Sequence, residues 1–314
     1  RIFVLQPFPD DGWSPASSVE AHNLTGGLML ANSHIRATFL RSKLGYGAVA
    51  FDVRYNHTWR RVAVLPEFSA VSVDHSGTID RFLLYLPDVA IESSPGGWVK
   101  AIFTGTRLDV NGHSWPCVFT FSLTSDTDVM DIEYSLAPSA SESLRLFEGP
   151  MIYAGASTFG GAHGQCILPG LEWLTGDETS SSTIDITTDE HVRYVPNANK
   201  LTAPWMAMTY DNITIGLMWD ANAPWHYEES MRSPVYAVPD RFEGKDASLM
   251  GIVVPFAPDY LSENQREAIT PYSVNAGDTI TLATQIVLAC PAESPLIVQD
   301  RWYKRYGTPN VLPY

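Results

Sequence analysis

The side chains that could do chemistry are concentrated between residues 160 and 229, where tryptophans stand among histidines, carboxylates and an arginine. A tryptophan ring can stack on the C–H face of a sugar, while charged and polar groups bind its hydroxyls. We therefore predict that a carbohydrate is bound by Trp173, Arg193, Trp225, His226 and Glu228. The alternative is that the tryptophans only fill the core of the protein.

The same stretch contains candidates for catalysis. Glycoside hydrolysis uses two carboxyl groups, one as acid and the other as base or nucleophile. Glu172 with Asp177 or Glu178 is the best such pair, and His163, in a glycine-rich turn, could transfer protons near neutral pH. The alternative is that the acids only solvate a Ser/Thr-rich loop and that His163 is an ordinary loop residue.

Metal and cofactor signals are weak, so no cofactor is expected. The sequence has no His-x-His or His-Glu-x-x-His pattern, which argues against zinc. A structural calcium ion is compatible with the oxygen ligands of Asp109 and Asn111, or with those of Asp185, Asp189 and Glu190.

Composition excludes several classes of protein. The net charge of −15 and the lack of any Lys/Arg run argue against a nucleic-acid partner. No apolar run approaches the length of a membrane span.

Three widely spaced cysteines, Cys117, Cys166 and Cys290, predict free thiols and allow at most one disulfide. The acidic charge and three Asn-x-Ser/Thr triplets are compatible with an extracellular or periplasmic protein.

The elements that must position these side chains are short strands. Apolar or alternating runs bounded by turn residues recur every 8–12 residues, which is typical of sandwiches and barrels. The predicted strands are 27–31, 35–40, 47–53, 59–65, 70–74, 82–86, 98–104, 106–110, 117–123, 129–136, 207–210, 214–219, 248–254 and 279–288. Asn111-Gly112 predicts the tip of a hairpin between two long strands.

Helix is predicted only at 258–269 and 295–306. So many strands cannot form one simple sheet. The predicted fold is therefore all-β, a large antiparallel two-sheet supersandwich with a short C-terminal helix or linker. We expect residues 1–293 to form the sandwich and residues 294–314 a helical linker or tail.

Several segments resemble a known group of proteins. They are LPGLEWL at 168–174, DETSSS at 177–182, HVRYVP at 191–196, KLTAPWMA at 200–207 and RWYKRYGTP at 301–309. They resemble large bacterial carbohydrate-active proteins in which a galactose-mutarotase-like β-supersandwich precedes an (α/α) toroid with glycoside hydrolase or lyase chemistry. The resemblance implies an accessory domain that binds an oligo- or polysaccharide and is followed by a catalytic domain. It carries no catalytic residue over to this sequence.

Three functions therefore remain open. The first is a carbohydrate-recognising, non-catalytic domain of a polysaccharide-processing protein. The second is a glycoside hydrolase, polysaccharide lyase or sugar epimerase that uses the carboxylates and His163. The third is a structural or assembly subunit. A pair of carboxyl groups facing one cleft would favour an enzyme.

Overall fold

A computed structural model describes residues 19–24, 26–95, 97–180, 195–196, 198–239, 246–256, 268 and 270–307, with only the backbone at 20–24. The strands of this part are β1 (Glu20–Leu24), β2 (Gly27–Ala31), β3 (Ile35–Ser42), β4 (Gly45–Tyr55), β5 (Thr58–Leu65), β6 (Ala70–His75), β7 (Thr78–Leu83), β8 (Asp88–Ser94), β9 (Trp98–Leu108), β10 (Ser114–Thr124), β11 (Val129–Leu136), β12 (Glu142–Glu148), β13 (Ile152–Ala154), β14 (Gln165–Leu168), β15 (Glu172–Thr175), β16 (Trp205–Tyr210), β17 (Ile213–Met218), β18 (Ser233–Ala237), β19 (Ser248–Val254), β20 (Tyr272–Val274) and β21 (Ile280–Ala289). A 3₁₀ turn spans Ala198–Lys200 and helix α1 spans Leu296–Tyr306.

The strands form two large antiparallel sheets. The first has twelve strands in the order β1-β2-β3-β4-β5-β13-β19-β12-β6-β7, with β18 beside β19 and β20 beside β12. The second has nine, in the order β15-β14-β16-β17-β21-β11-β10-β9-β8. Strand accounts for 56% of the described residues and helix for 6%. The predicted all-β two-sheet supersandwich is confirmed.

The main core lies between the sheets and is rich in phenylalanine. Inward-facing residues alternate with outward-facing ones along β10 and β11, as expected for strands with one buried face. Phe68, in the link between β5 and β6, contacts rings from both sheets. Its ring centroid lies 6.5 Å from that of Phe39 in the twelve-stranded sheet, and 5.1 and 5.5 Å from those of Phe103 and Phe121 in the nine-stranded sheet.

Helix α1 covers part of the outer face of the nine-stranded sheet. Val298 and Trp302 are its buried residues, and the Trp302 indole N–H donates to the carbonyl of Trp219 at 2.9 Å. A Cβ at Gly216 of β17 would lie 2.3 Å from Val298 Cγ2, so glycine is what lets the helix approach this closely. The predicted C-terminal helix is confirmed, while the predicted helix at 258–269 falls almost entirely outside the described residues.

The three cysteines are free, and Cys117 and Cys166 are buried. Burial raises the pKa of Cys117 to about 12, which makes this thiol unreactive at neutral pH. In the described part of the chain, no helix is long and apolar enough to cross a membrane.

The register shows which loops share an end of the sandwich. At one end β9 runs into β10 through residues 109–113, β12 begins, β21 begins beside the end of β11, and β17 ends. We call this the 109–113 end. At the other end β10 turns into β11 through residues 125–128, where β21 finishes and β14 begins. We call this the 125–128 end.

Candidate functional site

Four titratable side chains from both sheets meet at the 109–113 end, and we call them the inter-sheet cluster: His75, Asp109, His113 and Glu142. Two of them belong to the twelve-stranded sheet. His75 follows the buried Val73 by two residues, and Glu142 precedes the buried Leu144 by two. Since Val73 pairs with Leu144, His75 and Glu142 lie side by side on the inner face of the sheet.

The other two side chains come from the turn between β9 and β10. Asp109 shapes this turn, because its Oδ1 accepts the backbone N–H groups of Asn111 and His113, each at 2.9 Å. Its Oδ2 accepts the indole N–H of Trp115 at 3.2 Å. Trp115 is fully buried and packs on Phe82 with ring centroids 5.8 Å apart, so the core fixes the Asp109 carboxylate.

Short contacts connect the four side chains. His113 Nδ1 lies 2.5 Å from Glu142 Oε1 and 3.6 Å from Asp109 Oδ2. His75 Nε2 lies 4.0 Å from Asp109 Oδ2, and His75 Nδ1 lies 3.8 Å from Glu142 Oε2 and 2.8 Å from Asn111 Nδ2. The carboxylates are buried, whereas 39% of the His113 side chain is exposed. Solvent therefore reaches this cluster mainly at His113.

A second group lies next to it at the same end, and we call it the tyrosine–histidine cluster: His226, Tyr227, Tyr272 and Asp278. The two groups adjoin because β20 pairs with the beginning of β12, which places Tyr272 opposite Leu144 and Val274 opposite Glu142. His226 is buried, with Nδ1 3.0 Å from the hydroxyl of Tyr272 and Nε2 3.3 Å from Asp278 Oδ2.

Tyr227 is the exposed member of this cluster. Its side chain is 67% exposed, while its hydroxyl donates to Asp278 Oδ1 at 2.7 Å. This hydrogen bond raises the pKa of Tyr227 above its usual value. The same bond, followed by the backbone N–H of Asn275, lowers the pKa of Asp278. The contact therefore joins a neutral phenol to an ionised carboxylate near neutral pH.

Replacing Tyr227 with phenylalanine is expected to raise the pKa of Asp278, because its largest stabilising contact is lost. The pKa of Asp278 is lowered in the folded protein. Its ionised form therefore stabilises the fold above the usual carboxyl pKa of about 4 and loses this effect as pH falls through the lowered value. NMR titration of the side-chain carboxyl carbon measures the shift. Tyr303→Phe, on helix α1, is the matched control. An unchanged Asp278 titration in the Tyr227 variant would contradict the contact.

Hydrogen bonds from the buried Arg232 stabilise the loop that carries Tyr227. The guanidinium of Arg232 donates to the carbonyls of Asp220, Ser230 and Ala223 at 3.2, 2.7 and 2.7 Å. Burial lowers the pKa of Arg232 to about 10. Because one buried cation holds three carbonyls of the same loop, it stabilises the backbone that carries Tyr227.

The predicted residues of β15 point to opposite faces. Trp173 is 57% exposed and lies on the outer face of the nine-stranded sheet, opposite Ile167. Glu172 faces the other way, as does Leu174, which packs against the main core. The negative charge of Glu172 contributes to raising the pKa of Cys166, after the larger effect of burial. Glu172 and Trp173 therefore do not share one surface.

The candidate catalytic side chains are divided between the two ends of the sandwich. Glu172 lies at the 109–113 end of β15, while Asp177 and His163 lie beyond its other end. The strand separates Glu172 from Thr175 by about 10 Å. Both ring nitrogens of His163 contact backbone carbonyls, Nδ1 that of Gly161 at 3.0 Å and Nε2 that of Glu178 at 2.8 Å. The structure does not bring these three candidates around one cleft.

The remaining predicted sugar-binding residues have different surroundings. Trp225 is 2% exposed and its indole N–H donates to the carbonyl of Met231, so its ring packs in the core. His226 belongs to the tyrosine–histidine cluster, and Glu228 is exposed two residues further on. Arg193 lies outside the described residues, as do the possible calcium ligands Asp185, Asp189 and Glu190.

His75, His113 and Glu142 were not apparent as site residues from the sequence. They are polar residues at or next to strand ends, each two positions from a buried apolar residue on the same face. A polar residue that continues the buried side of an alternating strand was the available signal. It was not sufficient alone, since strand pairing across two sheets decides which of these residues meet.

Comparison with known proteins gives a likeness of fold. No protein-family model matches the sequence, and no curated protein matches it. The chain is similar to a galactose mutarotase-like protein from Lactobacillus casei, at 13% identity, 84% coverage of this chain, 100% of that chain and a TM-score of 0.43. A galactose mutarotase-like protein from Clostridium acetobutylicum is 8% identical, with 88% of this chain and 99% of that chain covered and a TM-score of 0.45. An alpha-N-acetylgalactosaminidase from Bifidobacterium bifidum is 9% identical, with 92% of this chain and 39% of that chain covered and a TM-score of 0.49.

Proposed function

We propose that this chain is a carbohydrate-recognising domain whose sugar site is the tyrosine–histidine cluster. The observation that carries the proposal is the exposed ring of Tyr227, held by its hydroxyl on Asp278 and backed by the buried His226. An aromatic face of this kind can stack on the C–H face of a sugar ring. The nearby carboxylates and imidazole can bind hydroxyls.

The backbone at Tyr227 supports a dedicated position for this ring. Its φ of 47° lies in the left-handed region, which is costly for a bulky side chain. The turn holds this conformation through hydrogen bonds from Trp225 N–H to Glu229 O at 2.7 Å and from Glu229 N–H to His226 O at 2.8 Å. A fixed ring loses little entropy when a ligand stacks on it.

The proposed role is that of an accessory, non-catalytic domain of a polysaccharide-processing protein. In support, the best candidate acid pair, Glu172 and Asp177, lies at opposite ends of β15. A catalytic domain elsewhere in the protein and an extracellular or periplasmic location belong to the same proposal.

A second candidate function is acid–base chemistry on a sugar. The observation that favours it is the pair His113 and Glu142, joined at 2.5 Å, with the imidazole partly open to solvent. An ionised carboxylate can only accept hydrogen bonds, so His113 Nδ1 is the donor in its contact with Glu142. The other ring nitrogen, Nε2, is then left to exchange a proton with a ligand. Turnover of an oligosaccharide or of a sugar anomer, lost in His113→Ala, would favour this function over the accessory role.

The accessory role predicts that Tyr227→Ala weakens binding to the preferred glycan by about 1–3 kcal/mol, the range for aromatic stacking on ring ligands, or roughly 5- to 150-fold. A glycan array with the purified chain identifies the ligand, and isothermal titration calorimetry gives the affinities. Tyr227→Phe should retain most of the stacking.

Trp173→Ala is the matched control, because Trp173 is a comparably exposed aromatic residue at another edge of the protein. If Trp173→Ala loses binding while Tyr227→Ala binds like the wild type, the sugar site lies on the outer face of the nine-stranded sheet instead. If no glycan binds, the carbohydrate function itself is refuted.

A further inference from the structure

The geometry points to a binding site for one divalent transition-metal ion of the zinc type in the inter-sheet cluster, with His75, Asp109 and Glu142 as its protein ligands. These three residues offer ligand atoms that all lie within 4.8 Å of one another. This site neither depends on the proposed carbohydrate function nor follows from it, since a metal could join the two sheets whatever the chain binds.

The balance of buried charge favours a cation in this cluster. Four carboxylates are buried in the described part of the chain, and arginine neutralises two of them. Asp52 contacts Arg36 and Arg61, and Glu148 contacts Arg81. Burial of an unpaired charge is expensive, so such pairing is expected.

Asp109 and Glu142, the other two, differ from these. Within the described residues their ion-pair partners are histidines, His75 and His113. Together the two carboxylates contribute a formal charge of −2. A divalent cation would neutralise it.

One ring nitrogen of His75 is available to a metal ion. Nε2 of His75 is buried and has no hydrogen-bond partner among the described residues, and it faces Asp109 Oδ2 at 4.0 Å. A buried polar atom without a partner is uncommon, and it needs a physical reason. A metal ion between Nε2 and the carboxylate supplies one.

The distances are compatible with such an ion after a small contraction. Ligand atoms of a tetrahedral zinc site stand about 3.3 Å apart, as metal–ligand bonds of about 2.0–2.1 Å require. Nε2 of His75 lies 4.0 Å from Asp109 Oδ2, and one ligand atom from each of the three residues lies within 4.8 Å of the others. A contraction of about 1.5 Å or less between these atoms, by side chains at a sheet end, would close them onto a metal.

Each of the three ligands is already oriented by a further residue, as in known metal sites. Asp109 is fixed by Trp115 and by its own turn, and Glu142 by His113. Asn111 contacts His75 Nδ1 at 2.8 Å. A half-turn of its amide would let the Asn111 oxygen accept Nδ1–H while Nε2 binds the metal.

The types of the three ligand atoms indicate which metal ion would bind. One imidazole nitrogen and two carboxylate oxygens suit zinc and its neighbours, whereas calcium prefers six to eight oxygen ligands. Three protein ligands leave a fourth position for water or a ligand oxygen, which is typical of open zinc sites. The calcium ion that the sequence suggested at Asp109 and Asn111 is therefore replaced in this proposal by a zinc-type ion.

The test uses the full chain without an affinity tag, stripped with a chelator and then titrated with zinc chloride by calorimetry. We expect saturable binding of about one zinc ion per chain and a higher thermal unfolding midpoint with zinc. Cobalt chloride should give visible absorption bands typical of a four-coordinate ion. His75→Ala and Glu142→Gln should each weaken zinc binding by at least about tenfold.

His163→Ala is the control, because His163 lies at the opposite end of the nine-stranded sheet. Circular dichroism without metal shows whether each variant folds, and the isosteric Glu142→Gln decides the question if His75→Ala does not. The proposal is overturned if the wild-type chain binds no zinc stoichiometrically. It is equally overturned if the folded variants bind zinc like the wild type, or if calcium competes with zinc on equal terms.

Discussion

Phe68→Ala is expected to lower the free energy of unfolding by about 3–5 kcal/mol, the usual cost of truncating a buried phenylalanine. The cost should be near the top of this range, because Phe68 touches rings from both sheets at 5.1–6.5 Å between centroids. Because rings from both sheets surround this position, neither sheet alone can fill the cavity that the truncation leaves. Urea unfolding followed by both circular dichroism and tryptophan fluorescence measures the loss.

Leu44→Ala is the control for this experiment. Leu44 is an exposed residue of the turn between β3 and β4, so its truncation should change stability by less than about 0.5 kcal/mol. Agreement between the two spectroscopic signals is needed, since a chain of 314 residues need not unfold in one step. A Phe68 variant as stable as the Leu44 variant would show that this ring does not hold the sheets together.

Much of the fold was predictable because strand periodicity is local. The run predicted at 27–31 is β2, and the predicted hairpin around Asn111-Gly112 joins β9 to β10. The run predicted at 98–104 and most of the run predicted at 106–110 belong to one strand, β9, which ends at Leu108, and Gly105 interrupts only the sequence pattern. A Cβ at Gly105 would lie 2.7 Å from Pro87 Cδ, so packing between neighbouring segments requires glycine there.

The short strands were not predictable in the same way. Strands β14 and β15 have four residues each, too few to establish a period, and they lie inside the region whose aromatic residues suggested a binding surface. Trp205 and Trp225 in that region are buried, so composition alone could not separate core tryptophans from exposed ones. Only the alternation along β15 shows that Trp173 faces outward and Glu172 inward.

The candidate site was the least predictable part, for a physical reason. His75 and Glu142 are neighbours because β6 pairs with β12, and Asp109 meets them because the two sheets pack face to face. Such contacts join residues that are far apart in sequence. The sequence did indicate Asp109 and Asn111 as possible metal ligands, and it is the turn containing them that the structure places against the other sheet.

Trp115 connects the core to this site, and its replacement is the second large effect we expect. Trp115→Ala should cost about 3–5 kcal/mol, because the residue is fully buried and packs on Phe82. Trp115→Phe keeps an aromatic ring in the core but removes the N–H that Asp109 Oδ2 accepts. It should cost less, about 1–3 kcal/mol, which is the range for leaving a buried acceptor unsatisfied.

The difference between these two variants separates packing from the support of Asp109. Urea unfolding gives both values, and Trp98→Phe, at a partly exposed tryptophan of β9, is the control that should change little. If the phenylalanine variant is as stable as the wild type, the indole N–H does not hold the Asp109 carboxylate. If it is as unstable as the alanine variant, the polar contact rather than the ring connects the core to the inter-sheet cluster, and the expected order of the two effects is wrong.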